Sequence, residues 1–235
     1  MSNDCYHSFC PVAKAGELLQ PRWTMLILNE FWQGSTRFNE LRRGLPGISP
    51  TLLSKRLKEM QHNGLIQRIE PEGLGEDGYV TTAMANELKP IVHALGQWAH
   101  RSVDAEVSLE HLDPKLLMWN MRRNIDVLAL PKGRTTVIQF TYPELAKDQQ
   151  DYWLVAREGQ GVDLCLIDPG HSVDLFIRAD LKAMTSAWMG WSSLHREIES
   201  GKIVLIGNGR LINTLEKWMV RCGYAAPEER KAKAA

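Results

Sequence analysis

Between Ser49 and Asn63 the chain carries Thr51, Lys55, Lys58 and His62 at helical spacing, with Ser54 beside them. At about 100° per residue these side chains share one face, roughly opposite an apolar stripe of Leu53, Leu57 and Met60. Hydroxyls and cations without a carboxylate are the groups that meet phosphate oxygens and base edges. The alternative is an ordinary amphipathic helix with a solvated basic face. The surroundings favour the first reading. From Gly34 to Met60, Arg37, Arg42, Arg43, Lys55, Arg56 and Lys58 stand against Glu40 and Glu59 alone, in a chain of formal net charge zero. A local patch, not global charge, would then supply the phosphate contacts.

Other residues offer weaker chemistry. Cys5, His7 and Cys10 form a C-x-H-x-x-C cluster. Neither a fourth ligand nor a standard zinc spacing accompanies it, so no metal is expected. A thiol sensor at Cys10 would need a depressed thiol pKa; the alternative is a small residue packed in a subunit interface. Gly207-Asn208-Gly209 lacks the third glycine of a dinucleotide fingerprint and reads as a tight turn. His171 and His195 are far apart with no nucleophile beside either. The expectation is no enzyme and no cofactor.

The elements that would carry these residues follow from pattern. Helices are expected from Val12 to Gln20, Arg22 to Trp32 and Phe38 to Leu45. The basic helix follows, with Ser49 as N-cap, Pro50 at the first position and Gly64 as stop. Leu65 to Ile69 and Tyr79 to Thr81 read as a hairpin, and Thr82 to Arg101 as a long helix. This order is the winged helix-turn-helix plan. Ser49, Thr51, Ser54 and Lys55 would then lie near base edges, and Arg37, Arg42, Arg43, Lys58 and Arg68 mainly against phosphates.

Several motifs in the right order carry a resemblance. Cys10-Pro11, Arg22-Trp23-Thr24, Arg37-Phe38-Asn39-Glu40-Leu41, Ile48-Ser49 with Leu53, and Gly64-Leu65-Ile66-Gln67-Arg68 resemble the HxlR-type family of bacterial winged-helix transcriptional regulators, over roughly residues 8 to 100. The resemblance implies homodimers, formed largely through the first and last helices of the domain, on two operator half-sites. It also implies, from some relatives, electrophile or oxidant sensing through Cys10. The chain departs from the family in the wing, where Glu70, Glu72, Glu76 and Asp77 would repel a phosphate backbone. Arg68 at the wing's base is then the expected contact.

After a polar linker at 103–113, a second half is expected at 114–222, with a flexible tail at 223–235. A helix from Lys115 to Leu128 precedes strands at Thr135–Tyr142, Tyr152–Ala156, Val162–Ile167 and Ser172–Ile177, read as an antiparallel meander. Helices from Leu181 to Met189 and from Ser192 or Ser193 to Gly201, a fifth strand at Lys202–Ile206 and a helix from Arg210 to Val220 complete it. Val173-Asp174-Leu175-Phe176-Ile177, Trp188-Met189-Gly190-Trp191 and the run from Ile198 to Ile203 resemble a sterol-carrier-protein-type domain. Such domains enclose an apolar cavity for lipid-like molecules. Met184, Trp188, Met189 and Trp191 would line it, with Trp119, Phe140 and Trp153 opposite. Rigid aromatics and adaptable methionines suit a loosely specified apolar ligand; the alternative is that they fill the core.

The sequence is thus read as an α+β protein. A winged helix-turn-helix domain (1–102) precedes a sterol-carrier-like domain with a five-stranded, mostly antiparallel sheet. The expected function is DNA-binding regulation by a homodimer under control of an apolar small molecule. Thiol-based sensing through Cys10, or a lipid carrier without DNA binding, are the alternatives. No membrane-spanning run or secretion signal is read, so the expected setting is cytoplasmic.

Overall fold

Ser49 and Pro50 start the basic helix as their types require. The Ser49 hydroxyl accepts from the Leu52 N–H at 3.2 Å, and Pro50 occupies the first helical position. At the other end Gly64 turns left-handed with φ 71°. These features belong to a computed structural model that describes residues 5–69 and 78–225. The chain divides into two compact units, Met1–Gln97 and Trp98–Ala235.

The first unit contains α1 (Pro11–Leu19), α2 (Thr24–Trp32), α3 (Phe38–Gly44), α4 (Pro50–His62), β1 (Ile66–Ile69), β2 (Gly78–Thr81) and α5 (Ala83–Glu87); α6 (Lys89–Ser102) begins in it. Its core is built by Ile27, Leu28 and Phe31 of α2, Leu41 of α3, Leu53, Leu57 and Met60 of α4, and Leu65, Ile66 and Ala85. The hairpin is antiparallel, from Ile66 opposite Thr81 to Ile69 opposite Gly78. The segment at Ser35–Thr36 meets it through a bond from the Tyr79 N–H to the Thr36 carbonyl at 2.9 Å.

Two expectations are corrected here. The long helix from Thr82 to Arg101 is two helices, parted at Leu88, because Pro90 has no N–H to offer the carbonyl four residues back. Helix α2 starts at Thr24, not Arg22, because Trp23 takes φ 85°, in the left-handed region.

The second unit contains α7 (Ala105–Leu109), α8 (Pro114–Arg123), β3 (Thr136–Thr141), β4 (Asp151–Arg157), β5 (Gly161–Cys165), β6 (Leu175–Ala179), α9 (Leu181–Met189), α10 (Leu194–Glu199), β7 (Ile203–Gly207), α11 (Gly209–Asn213) and α12 (Leu215–Trp218). The stretch read as a linker therefore holds a helix, and Leu109 on it is buried. The sheet order is β5-β4-β3-β6-β7. It is not a meander. β6 pairs with β3 in parallel, Ile138 opposite Leu175, while the other three pairings are antiparallel. A parallel pair requires a crossing connection, and Val173 from that connection packs on Val137, Trp153 and Val155.

The other face of the sheet carries the main core. Ile138, Phe140, Tyr152, Leu154, Leu175 and Ile177 meet Met118 of α8, Met184 and Trp188 of α9, and Trp218 of α12. Trp218 is held by a bond from its indole N–H to the Leu211 carbonyl at 2.9 Å. The expected last helix breaks at Thr214 into α11 and α12.

One buried carboxylate governs the first unit's α2–α3 corner. The Ser35 hydroxyl donates to Glu30 Oε1 at 2.7 Å, and both residues are buried. The Glu30 carboxyl group packs directly over Gly44, where a β-carbon would collide with it. Gly44→Ala is expected to destabilise the protein by about 1–3 kcal/mol, read as a lower midpoint in chemical denaturation at unchanged slope.

Candidate nucleic-acid interface

All nine residues expected to meet DNA (Arg37, Arg42, Arg43, Ser49, Thr51, Ser54, Lys55, Lys58 and Arg68) are exposed. The geometry of α3 and α4 accounts for this. With Leu53, Leu57 and Met60 buried at 0 to 2 % exposure, the helical period turns Thr51, Ser54, Lys55 and Lys58 outward. On α3, Leu41 is the buried residue and Arg42 and Arg43 occupy the last turn. Glu40 points back along the chain: its Oε2 accepts from the Thr36 and Arg37 N–H groups at 2.9 and 3.1 Å. One of the two acidic residues in the patch is thereby engaged in capping.

The other acidic residue corrects an expectation. The face of α4 is not free of carboxylate. Glu59 Oε1 lies 3.9 Å from Lys55 Nζ, and its Oε2 lies 2.5 Å from Arg56 Nη1. The Lys55 pair is exposed and at the limit of contact, where such pairs are worth little. Arg56 is different in kind. Its side chain is 19 % exposed against 67 % for Lys55, and its Nε donates to the Arg22 carbonyl at 3.0 Å. Helical spacing sets Arg56 beside the apolar stripe, three residues after Leu53 and four before Met60, but does not name its partners.

Arg68 sits on β1 opposite Tyr79. The acidic wing segment between Glu70 and Asp77 lies outside the described residues.

Cys10 is the N-cap of α1 and is exposed. Backbone N–H groups of Ala13 and, second, Val12 point at its sulfur and lower its pKa, as expected for a thiolate at a helix N-terminus. Cys5 is also exposed and its Sγ–H donates to Glu17 Oε1 at 3.4 Å. Cys222 is buried, and burial raises its pKa.

The residues expected to line a cavity are not gathered in one place. Phe140, Met184 and Trp188 lie in the main core of the second unit, with Met189 at its margin. Trp153 does not face Phe140. It pairs with Gln139 across β3–β4, so the pleat sends it to the opposite face, with Val137 and Val155. Trp119 is buried, with the Arg122 and Arg123 guanidinium groups 3.9 and 4.9 Å from its ring centroid. Trp191 stacks on His100 at 5.4 Å. The Tyr152 hydroxyl and the Trp188 and Trp191 indole N–H groups are buried donors without an acceptor among the described residues. Gly207-Asn208-Gly209 is a turn, with Asn208 capping α11 and Gly207 at φ 138° against the Asp174 carbonyl.

The family match falls in the N-terminal part. The HxlR-like helix-turn-helix family matches residues 18–107. The HTH-type transcriptional regulator YvaP of Bacillus subtilis is 36 % identical over 97 residues, covering 40 % of this chain and 90 % of the relative. The HTH-type transcriptional regulator YodB of the same organism is 32 % identical over 95 residues, covering 40 % of this chain and 85 % of that protein. The reduced-form structure of YodB aligns at 30 % identity with a TM-score of 0.36, covering 41 % of this chain and 97 % of that one. With its basic α3–α4 face presented on a helix-turn-helix unit, the chain belongs to the HxlR-like helix-turn-helix family of transcriptional regulators.

Proposed function

We propose that the protein is a sequence-specific DNA-binding regulator that acts as a homodimer, with α4 of each copy in a groove of the duplex. The observation that carries this reading is the shared exposure of Arg42, Arg43, Thr51, Ser54, Lys55 and Lys58 on α3 and α4. Ser49, Thr51, Ser54 and Lys55 read base edges. Arg37, Arg42, Arg43, Lys58 and Arg68 set register against phosphates. Dimerisation is supported by α1 and α6, neither of which buries a residue in the isolated chain. On α6, Ile91, Leu95 and Trp98 recur at helical spacing and are 48 to 58 % exposed, an apolar face that a second copy would cover.

The proposal extends to the second half. Residues 1–102 bind DNA, 103–113 connect, and 114–222 form a sterol-carrier-like domain that takes an apolar small molecule, followed by a tail at 223–235. Support comes from the one-sided helical cover of the sheet and from the aromatic and methionine content of that core. The unpartnered Tyr152, Trp188 and Trp191 donors suit a ligand that brings an oxygen acceptor, because a buried donor left unpaired costs about 1–3 kcal/mol. The ligand controls transcription if it binds the dimer's two half-site arrangements with different affinity. The proposed setting is cytoplasmic, and among the described residues no helix is long and apolar enough to cross a membrane.

A second reading is favoured by one observation. Cys10 is exposed with its pKa lowered by backbone N–H groups, which suits a thiol sensor.

Three measurements test these readings. On a duplex selected by the wild-type protein from random DNA, Lys58→Ala is expected to weaken binding and flatten the dependence of log affinity on log salt by about 0.9 for each phosphate the protein no longer neutralises; an unchanged slope removes Lys58 from the DNA face. Native mass spectrometry of protein from its own host is expected to give a dimer with an extra mass that disappears on mild denaturation, and a monomer would sink the two-half-site scheme. For the sensor reading, iodoacetamide should modify Cys10 well before Cys222 at neutral pH. A lowered pKa keeps Cys10 as thiolate to lower pH than an ordinary thiol, so its labelling rate should begin to rise at lower pH. Labelling of Cys10 no faster than a model thiol would count against it.

A further inference from the structure

Of the basic residues on α4, only Arg56 is drawn inward. Its Nε donates to the Arg22 carbonyl at 3.0 Å and its Nη1 meets Glu59 Oε2 at 2.5 Å. The guanidinium fork is thereby committed to two fixed partners, one on its own helix and one on the turn between α1 and α2.

That turn is unusual in itself. Trp23 is a bulky residue at φ 85°, a region that L side chains enter only when the surroundings hold them there. The flip interrupts the helix before Thr24. The Thr24 N–H bonds the Pro21 carbonyl at 3.1 Å, and the Trp23 carbonyl takes the Ile27 N–H at 2.8 Å. Arg22, one residue earlier, turns its carbonyl to Arg56. Its guanidinium lies 5.5 Å from the Trp23 ring centroid. The Trp23 ring is directed toward Gly47, at which an added β-carbon would lie 3.9 Å from Cη2. Gly47 belongs to the turn that leads into α4. The Arg22–Trp23 turn therefore holds α4 at its middle, through the Arg56 bond to the Arg22 carbonyl.

We propose that Arg56 is a positioning residue for DNA reading. It makes no phosphate contact and instead fixes the roll and depth of α4 by latching it to the strained Arg22–Trp23 turn. This rests on the reading of α4 as the groove helix. The chemistry fits the residue type, since only arginine offers two directed donors far enough apart to hold a backbone carbonyl and a carboxylate together. A lysine supplies the charge without the fork.

The test uses the full-length protein and a duplex that the wild type has selected from random DNA. Affinity is measured across a salt series for Arg56→Gln and Arg56→Lys, with Lys58→Ala alongside. Arg56→Gln is expected to lose roughly tenfold or more in affinity, the scale of one misplaced base contact, with the wild-type salt slope. Arg56→Lys should fall with it despite keeping its charge. A slope flattened by about 0.9 per site in Arg56→Gln, or affinity restored by lysine, would make Arg56 a phosphate contact and overturn the proposal. So would wild-type affinity in both variants. Thermal melts separate a latch from loss of folding: a fall in affinity counts only where the variant melts cooperatively above the assay temperature. Arg56→Lys, with near-equal helix propensity, is the variant that keeps the test open if Arg56→Gln does not fold. Failure of the wild type to select any duplex would sink the DNA-binding reading itself, a different outcome from wild-type selection with indifferent Arg56 variants.

Discussion

Burial of Leu53, Leu57 and Met60 is the constraint on which the first unit depends. These three side chains are almost wholly removed from solvent, and each Leu-sized burial is worth about 1.5–3 kcal/mol. No surface interaction on α4 approaches that sum. The exposed Lys55–Glu59 pair, at 3.9 Å, contributes a few tenths of a kcal/mol at most. The hydrophobic stripe therefore decides which side of α4 faces outward, and electrostatics only decorates the outcome. A helix with its apolar stripe fixed has its polar face fixed too, because the angle per residue is not adjustable.

What the stripe leaves undetermined is the tilt and depth of the helix in its seat. An apolar contact is non-directional and tolerates small sliding movements. Directed bonds are needed to remove that freedom. Ser49 closes the N-terminal turn, Gly64 ends the last one, and the Arg56 fork ties the middle to the Arg22 carbonyl. The same division of labour recurs at the α2–α3 corner. There the apolar core sets the approach, and the buried Glu30–Ser35 bond and the bare α-carbon of Gly44 set the geometry. In both places a polar group inside the fold fixes a position rather than adding much stability, consistent with the modest net value of a buried hydrogen bond.

The sequence was most legible where a period was long or a residue type had one use. The stripe of α4, its Ser-Pro start and its Gly stop are all readable, and so is α9, from Leu181 to Met189. The helix-turn-helix motifs could be read because they combine such signals in a fixed order. Legibility failed where long-range pairing or a local exception decided the result. No run of residues announces that Trp23 will flip to positive φ. Pro90 is plain in the sequence, yet apolar periodicity runs on across it, although a proline's missing N–H breaks a turn unless it falls at a helix start. Spacing alone suggests a meander, yet spacing does not fix strand order. The chain instead crosses from β5 to β6 and buries Val137, Trp153 and Val155 under Val173.

The cavity residues show the same limit more sharply. Counting aromatic and methionine side chains finds the apolar material of a domain but not its partition. In a strand that partition is binary, since one residue of offset exchanges the faces. Phe140 pairs with Tyr152, and Trp153 follows Tyr152 by one residue, so Trp153 must leave the side on which Phe140, Met184 and Trp188 meet. Two residues that remain on that side, Tyr152 and Trp188, carry buried donors that lack a protein acceptor among the described residues. By contrast Trp218, in the same core, is satisfied by the Leu211 carbonyl, and Tyr142 by the Met118 sulfur. A core that provides for two of its polar groups and leaves two others is chemically asymmetric. That asymmetry, rather than aromatic content, is what the proposed ligand reading of the second unit rests on.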